Sequence, residues 1–180
     1  MKSEKVHLAT SSAELKEHAQ AAVRQSGGAI ILVPVDFSDH SEAALLQASE
    51  FANLMQATLV VLHVVHDPGE MPGYYSKLVK KKRATRMPDD AAEALQEFMA
   101  DTIKANPGLE TLQQATRLMV IGLPVTRILE VVEHLKPIMV VMGSQGRTGL
   151  QHLVIGSKAA QVVQLCPVPV TIVKKRSTEL

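Results

Sequence analysis

The sequence predicts a single α/β domain built on a five-stranded parallel sheet with helices on both faces, a Rossmann-like arrangement. Two observations carry this. Short β-branched, apolar runs recur along the chain, unbroken as strands are when both faces of a sheet are covered. Between them lie stretches whose apolar residues recur at three and four, so strand and helix alternate and parallel neighbours are joined by right-handed crossovers.

Length and composition agree with that class. A chain of 180 residues is long enough to bury a core without staples. With 19 Lys and Arg against 18 Asp and Glu, the net charge of +1 supplies no global field toward nucleic acid or an anionic membrane. Aromatic residues make up 3% and Trp is missing, which removes the stacking platforms of single-strand binders. Neither nucleic acid nor membrane is an expected partner. Cys166 stands alone and there is neither a zinc-spaced Cys/His cluster nor an apolar leader, so the expected compartment is the cytoplasm.

Residues 1–28 read as an N-terminal helical extension, with Ser11 and Glu14 at capping-box spacing and Ser26-Gly27-Gly28 as a joint. An unpacked tail is the simplest expectation for it. The domain proper spans 29–176. Its first strand is 29–35, and Asp39 and Glu42 open a helix that runs to about Gln56. Thr58 to Val65 is the second strand. Periodicity is then lost for about twenty residues, a length typical of functional loops. This stretch holds Tyr74, Tyr75, Lys77, Lys80, Lys81, Lys82, Arg83 and Arg86, a solvated charge run or a lid. A helix from Pro88 ends at Asn106-Pro107-Gly108; strand 115–121, a helix from Pro124 and strand 138–142 follow. After a Gly-rich stretch come a helix from about Ser157 to Leu165 and a last strand, 168–173. Pro169 cannot donate to a ladder, which puts that strand at an edge.

The fourth strand runs into Met142-Gly143-Ser144-Gln145-Gly146-Arg147, and ten residues beyond Gly146 stand Gly156-Ser157 at the mouth of the last helix. Ligands of open α/β sheets sit beyond the carboxyl ends of the strands. Glycine lets backbone N–H groups approach a phosphate and permits positive φ, and a helix start offers free donors and partial positive charge. Gly143 and Gly146 form one wall of such an anion cradle. Gly156 and Ser157 form the other, the Ser157 hydroxyl adding a donor or merely capping the helix.

The spacing G-x2-G-x9-G-S after an apolar strand resembles the nucleotide-binding motif of the universal stress protein family, in its ATP-binding branch. Ile31-Leu32-Val33-Pro34-Val35-Asp36-Phe37-Ser38, Leu62-His63-Val64-Val65 and Val168-Pro169-Val170-Thr171-Ile172-Val173 resemble that family's opening, second and closing strands. The likeness spans about 29–175 and implies the adenine nucleotide alpha hydrolase-like variant of the fold. By position it implies that Pro34 and Asp36 lie beside the nucleoside, that the Val64 backbone meets the adenine edge, and that Val35 is among the nucleotide-binding residues. It further implies that Met142 and Gly143 border the ribose, that Gly146, Gly156, Ser157 and Lys158 surround the phosphates, and that Ser144 is among the nucleotide-binding residues. Arg147 either reaches a phosphate or projects into water. The implied ligand is ATP, or AMP or ADP, with Mg²⁺, and the implied assembly is a homodimer through edge strand 168–173.

The function so read is a regulatory nucleotide-binding module of the stress response. The alternatives are a slow ATPase or self-phosphorylating enzyme of the same fold and a nucleotide-free dimeric interaction protein. G-x4-G-K-[ST] and G-x-G-x-x-G are both missing, which excludes P-loop and dinucleotide chemistry as those motifs define it. The seven histidines match no metal-ligand spacing.

Overall fold

The computed structural model describes residues 6–26, 28–66, 87–146 and 155–175. In chain order the elements are β1 (Val6–Ala9), α1 (Ser12–Ser26), β2 (Ile30–Val35), α2 (Asp39–Met55), β3 (Thr58–Val65), α3 (Met87–Ala105), α4 (Glu110–Gln113), β4 (Thr116–Ile121), α5 (Pro124–Leu135), β5 (Met139–Gly143), α6 (Ser157–Leu165) and β6 (Val170–Val173). The strands form one sheet in the order β1-β4-β3-β2-β5-β6, and every neighbouring pair is parallel.

The sheet has six strands, which corrects the expected five. The additional strand is β1, whose Val6 to Ala9 pair with Arg117 to Val120 of β4. Four residues of mixed polarity give no apolar run to read, so the pairing came from a partner over 100 residues away. Residues 6–26 of the extension are therefore packed and not a loose tail: Ala9 and Leu15 are fully buried in the core that α5 and α6 share. The capping box foreseen for α1 forms with a shift in its return bond. Ser11 Oγ accepts from Glu14 N–H at 3.2 Å, while the Glu14 carboxylate accepts from the N–H and hydroxyl of Thr10, each at 2.7 Å.

Each face of the sheet has its own core. One contains Leu32, Leu62, Val120 and Val140 with α5 and α6; the other contains Ile31, Val33, Val61 and Val141 with α2, α3 and α4. This split follows from the alternation of side chains along a strand and explains why β2, β3 and β5 are apolar at nearly every position. The last strand lies at an edge, paired only with β5 among the described strands.

The start of α2 differs from its sequence reading. Ser38, not Asp39, is the N-cap: its side chain accepts from Ser41 N–H at 3.2 Å.

Candidate functional site

Strand order reverses between β2 and β5, since β2 is followed in sequence by its neighbour on one side, β3, while β5 and β6 lie on the other. Connections leave in opposite directions at such a point and open a crevice above the strand ends. A cavity of about 770 Å³ lies there. Pro34, Val35, Asp36, Val64, Met142, Gly143, Gly146, Gly156, Ser157 and Lys158 all line it.

Ser144 does not line this cavity and is 2% exposed. Its N–H donates to Val173 O at 2.8 Å, its carbonyl accepts from Gly156 N–H at 2.7 Å, and its hydroxyl lies 3.3 Å from His40 Nδ1. It is a clamp between β6, α6 and α2, outside the lining of the cavity in which it was expected as a nucleotide-binding residue. Arg147 and the basic stretch 74–86 lie outside the described residues.

The glycines are needed for reasons other than positive φ, which none of Gly143, Gly146 and Gly156 adopts. A β-carbon on Gly143 would fall 2.7 Å from the backbone carbonyl of His40, so this position is bare because the first turn of α2 presses on it. One on Gly146 would fall 2.6 Å from Oδ2 of Asp36. Gly156 is different. Its φ of −66° and ψ of 151° suit any residue, and a β-carbon there would make only ordinary contacts, 3.5 Å and longer, with Ser144 and Gln145. Its bareness keeps open the cavity side.

The Gly156 N–H is already committed to Ser144, which corrects its expected role as a phosphate donor. Donors remain one residue on. Gly156 is the N-cap of α6 without a side-chain cap, so Ser157 does not cap the helix either. The N–H groups of Ser157, Lys158 and Ala159 have no acceptor among the described residues, as the first turn of a helix dictates. They carry the positive end of the helix dipole to the cavity.

Asp36 is held from its own loop. Oδ1 accepts from the N–H of Ser38 at 3.2 Å and from its hydroxyl at 2.6 Å. The β2–β3 register ends at Val35 and His63, so Val64 lies just beyond the paired ladder where β2 turns away. His66 follows directly on the same strand, and its Nδ1 is buried without a partner among the described residues.

Sequence reasoning missed Phe37, His63 and His66 beside the expected residues and, on more distant elements, Met87, Asp90, Ala91, Ala94, Pro124 and Ile128, all of which also line the cavity. Only the spacing of Met87, Ala91 and Ala94 on one helical face was available as a signal, and it reads equally as core.

Parallel strands in this order, with a helix start opening on the crevice at the reversal, define a doubly wound α/β protein. The sequence profile of the universal stress protein family matches residues 29–174, and the chain belongs to that family. Universal stress protein A homolog 1 of Coxiella burnetii is 30% identical over 136 residues, 75% of this chain and 88% of that protein. Universal stress protein MJ0577 of Methanocaldococcus jannaschii is 25% identical over 158 residues, 82% of this chain and 96% of that one. Its solved structure matches with a TM-score of 0.65 at 25% identity, covering 83% of this chain and 97% of that one. A universal stress protein solved in complex with cAMP matches with a TM-score of 0.53 at 25% identity, covering 81% and 96%. No described helix is long and apolar enough to cross a membrane.

Proposed function

We propose that this chain is an ATP-binding regulatory member of its family, holding an adenine nucleotide in the crevice between β2 and β5. The observation that carries the reading is the start of α6. Three N–H groups without acceptors among the described residues, the Lys158 side chain and a glycine whose missing Cβ no described neighbour requires all border one cavity. An anion is the chemistry that such a donor set accepts. The cAMP complex of a relative supports an adenine ligand.

In this reading the triphosphate lies at Ser157 and Lys158 beside Gly146 and Gly156. The ribose lies between Met142 and Asp36, and the base edge lies at the Val64 backbone where the ladder has ended. A bound nucleotide also gives the orphaned Nδ1 of His66 a polar neighbour, relieving a buried unsatisfied group. Mg²⁺ would arrive with the triphosphate, since the described residues contain no group of three metal-ligating side chains. Residues 29–176 carry this function in the cytoplasm, and the N-terminal extension adds β1 to the sheet. Two copies pair through β6, whose outer backbone groups have no strand beside them among the described residues.

Denaturing the freshly purified protein and identifying the released small molecules by mass spectrometry tests the ligand; the expected product is an adenine nucleotide. Binding of no adenine nucleotide, either carried through purification or added as Mg-ATP, contradicts the reading. Sedimentation at micromolar concentration tests the pairing, a monomer being the contrary result.

A further inference from the structure

One side chain joins the two walls of the crevice from behind. His40, in the first turn of α2, holds its Nδ1 toward the ends of β5 and β6, where it accepts from the Lys175 N–H at 3.3 Å and lies 3.3 Å from the Ser144 hydroxyl. Its backbone carbonyl presses on Gly143 of the cavity wall. Ser144 in turn accepts the Gly156 N–H on its carbonyl and so sets the start of α6. Just before His40, Ser38 caps α2 and holds the Asp36 carboxylate. We infer that His40 is a positioning residue of the nucleotide site: its unprotonated Nδ1 fixes the wall that follows β2 against the wall that follows β5. The inference rests on the nucleotide reading for the ligand and adds to it a proton-dependent control of affinity.

The donors decide the state of the ring. A backbone N–H can only donate, so the nitrogen facing Lys175 carries a lone pair and the ring proton sits on Nε2. The Ser144 hydroxyl can donate to that lone pair as well, and one acceptor shared by two donors accounts for two long bonds in place of one short one. A second ring proton has only Nδ1 to occupy. Ser144 can then turn its hydroxyl and accept, whereas the Lys175 N–H faces another donor and must move away. Protonation therefore undoes the link between α2 and the exit of β6, whose last residue, Val173, accepts from the Ser144 N–H at 2.8 Å.

The charges around the ring leave this change to the imidazole. Among the described residues, the elements packed against His40 bring Asp36 and Asp39 at the start of α2 and Lys174 and Lys175 after β6, while β5, β6 and the turn 144–146 have no charged residue. One turn on, α2 places Ala43 and Ala44, and Glu42 at i+2 faces elsewhere. Asp36 is held by Ser38, and Asp39 is paired with Lys175, whose hydrogen bond keeps the Asp39 carboxyl below its ordinary value of 3.8. Asp39 thus stays ionised where histidine changes charge, between about pH 5 and 8. The acceptor on His40 is present above that range and is lost as pH falls through it.

The test measures Mg-ATP affinity by calorimetry from about pH 8 down to about pH 5.5 in the wild type, His40→Ala and His40→Asn. The asparagine carbonyl stands in for Nδ1 as an acceptor that takes no proton. Removing the acceptor in His40→Ala should cost about three- to tenfold in affinity at the upper pH, and His40→Asn should recover most of that loss. At the lower pH the wild type should lose about two- to fivefold more than His40→Asn, the cavity histidines and the nucleotide itself contributing equally to both profiles. Unchanged affinity in His40→Ala, or identical profiles for the wild type and His40→Asn, overturn the inference. In the free wild-type protein the Lys175 amide resonance is expected to move with the titration of the His40 ring, and indifference to that titration overturns the clamp without reference to ATP. A protein that binds no ATP contradicts the nucleotide reading instead, and the amide titration still decides the clamp.

Discussion

Gly146 lies against the carboxylate of Asp36 so closely that a β-carbon on it would sit 2.6 Å from Oδ2. The two residues come from opposite sides of the crevice, one following β5 and the other following β2. Their contact joins the two walls of the proposed nucleotide site, and Ser38 holds the carboxylate in position from behind.

Gly146→Ala is therefore expected to weaken Mg-ATP binding by displacing Asp36. If so, the loss is not additive with removal of the carboxylate. In a double-mutant cycle read by calorimetry, Gly146→Ala should cost affinity in the wild type and much less in an Asp36→Ala background. Equal costs in both backgrounds would show that Gly146 acts without Asp36.

Gly143 has a different constraint, and its substitution should fail differently. A methyl there meets backbone of His40 at 2.7 Å, which cannot swing aside as a side chain can. Gly143→Ala is expected to lower stability by about 1–3 kcal/mol, the usual cost of overpacking, in urea denaturation. An unchanged midpoint would mean that α2 shifts freely.

Leu15 tests whether the N-terminal extension shares the core. It is 0% exposed and packs in the cluster that contains Leu118, Val131 and Leu135. Leu15→Ala should cost about 2–5 kcal/mol if α1 unfolds together with the sheet. A loss near zero, or a separate early transition, would show that the extension melts on its own.

The exit of β6 is tied to α2 by the ion pair of Lys175 with Asp39 and by the Lys175 N–H donating to His40 Nδ1 at 3.3 Å. The hydrogen bond from Lys175 and then its charge hold the Asp39 carboxyl below its ordinary value of 3.8. A depressed carboxyl contributes stability that is present above its unfolded value and is lost as pH falls through the folded one. This tie should therefore loosen below about pH 4. Both side chains are exposed, so the consequence is local. Following the Asp39 carboxyl carbon by NMR, Lys175→Met should return its titration to the ordinary value; no change would remove Lys175 as the cause.

Much of this architecture is legible because burial on both faces writes strands as unbroken apolar runs. Residues 30–35, 58–65 and 116–121 needed no tertiary information to be read. β1 was illegible because Val6-His7-Leu8-Ala9 has no pattern of its own and becomes a strand only beside β4. In the site, the glycine spacing located the two turns and the helix start correctly. It could not reveal that Gly143 is bare for His40, that the N–H of Gly156 belongs to Ser144, or that Ser144 faces inward. Those facts depend on which helix packs against which strand end, information carried by α2 and α3 rather than by the motif.

Gly156 gives the cleanest access to the central proposal, because its backbone angles suit a β-branched residue and a β-carbon there meets the described residues only at 3.5 Å and beyond, while the methyls of a valine would project where phosphate is proposed to lie. Titrating wild type and Gly156→Val with Mg-ATP by calorimetry, with thermal unfolding as control, decides the matter. The account predicts one ATP per chain for the wild type and at least a tenfold loss, about 1.4 kcal/mol, for the variant at unchanged melting temperature. Equal affinity in the two proteins would contradict it.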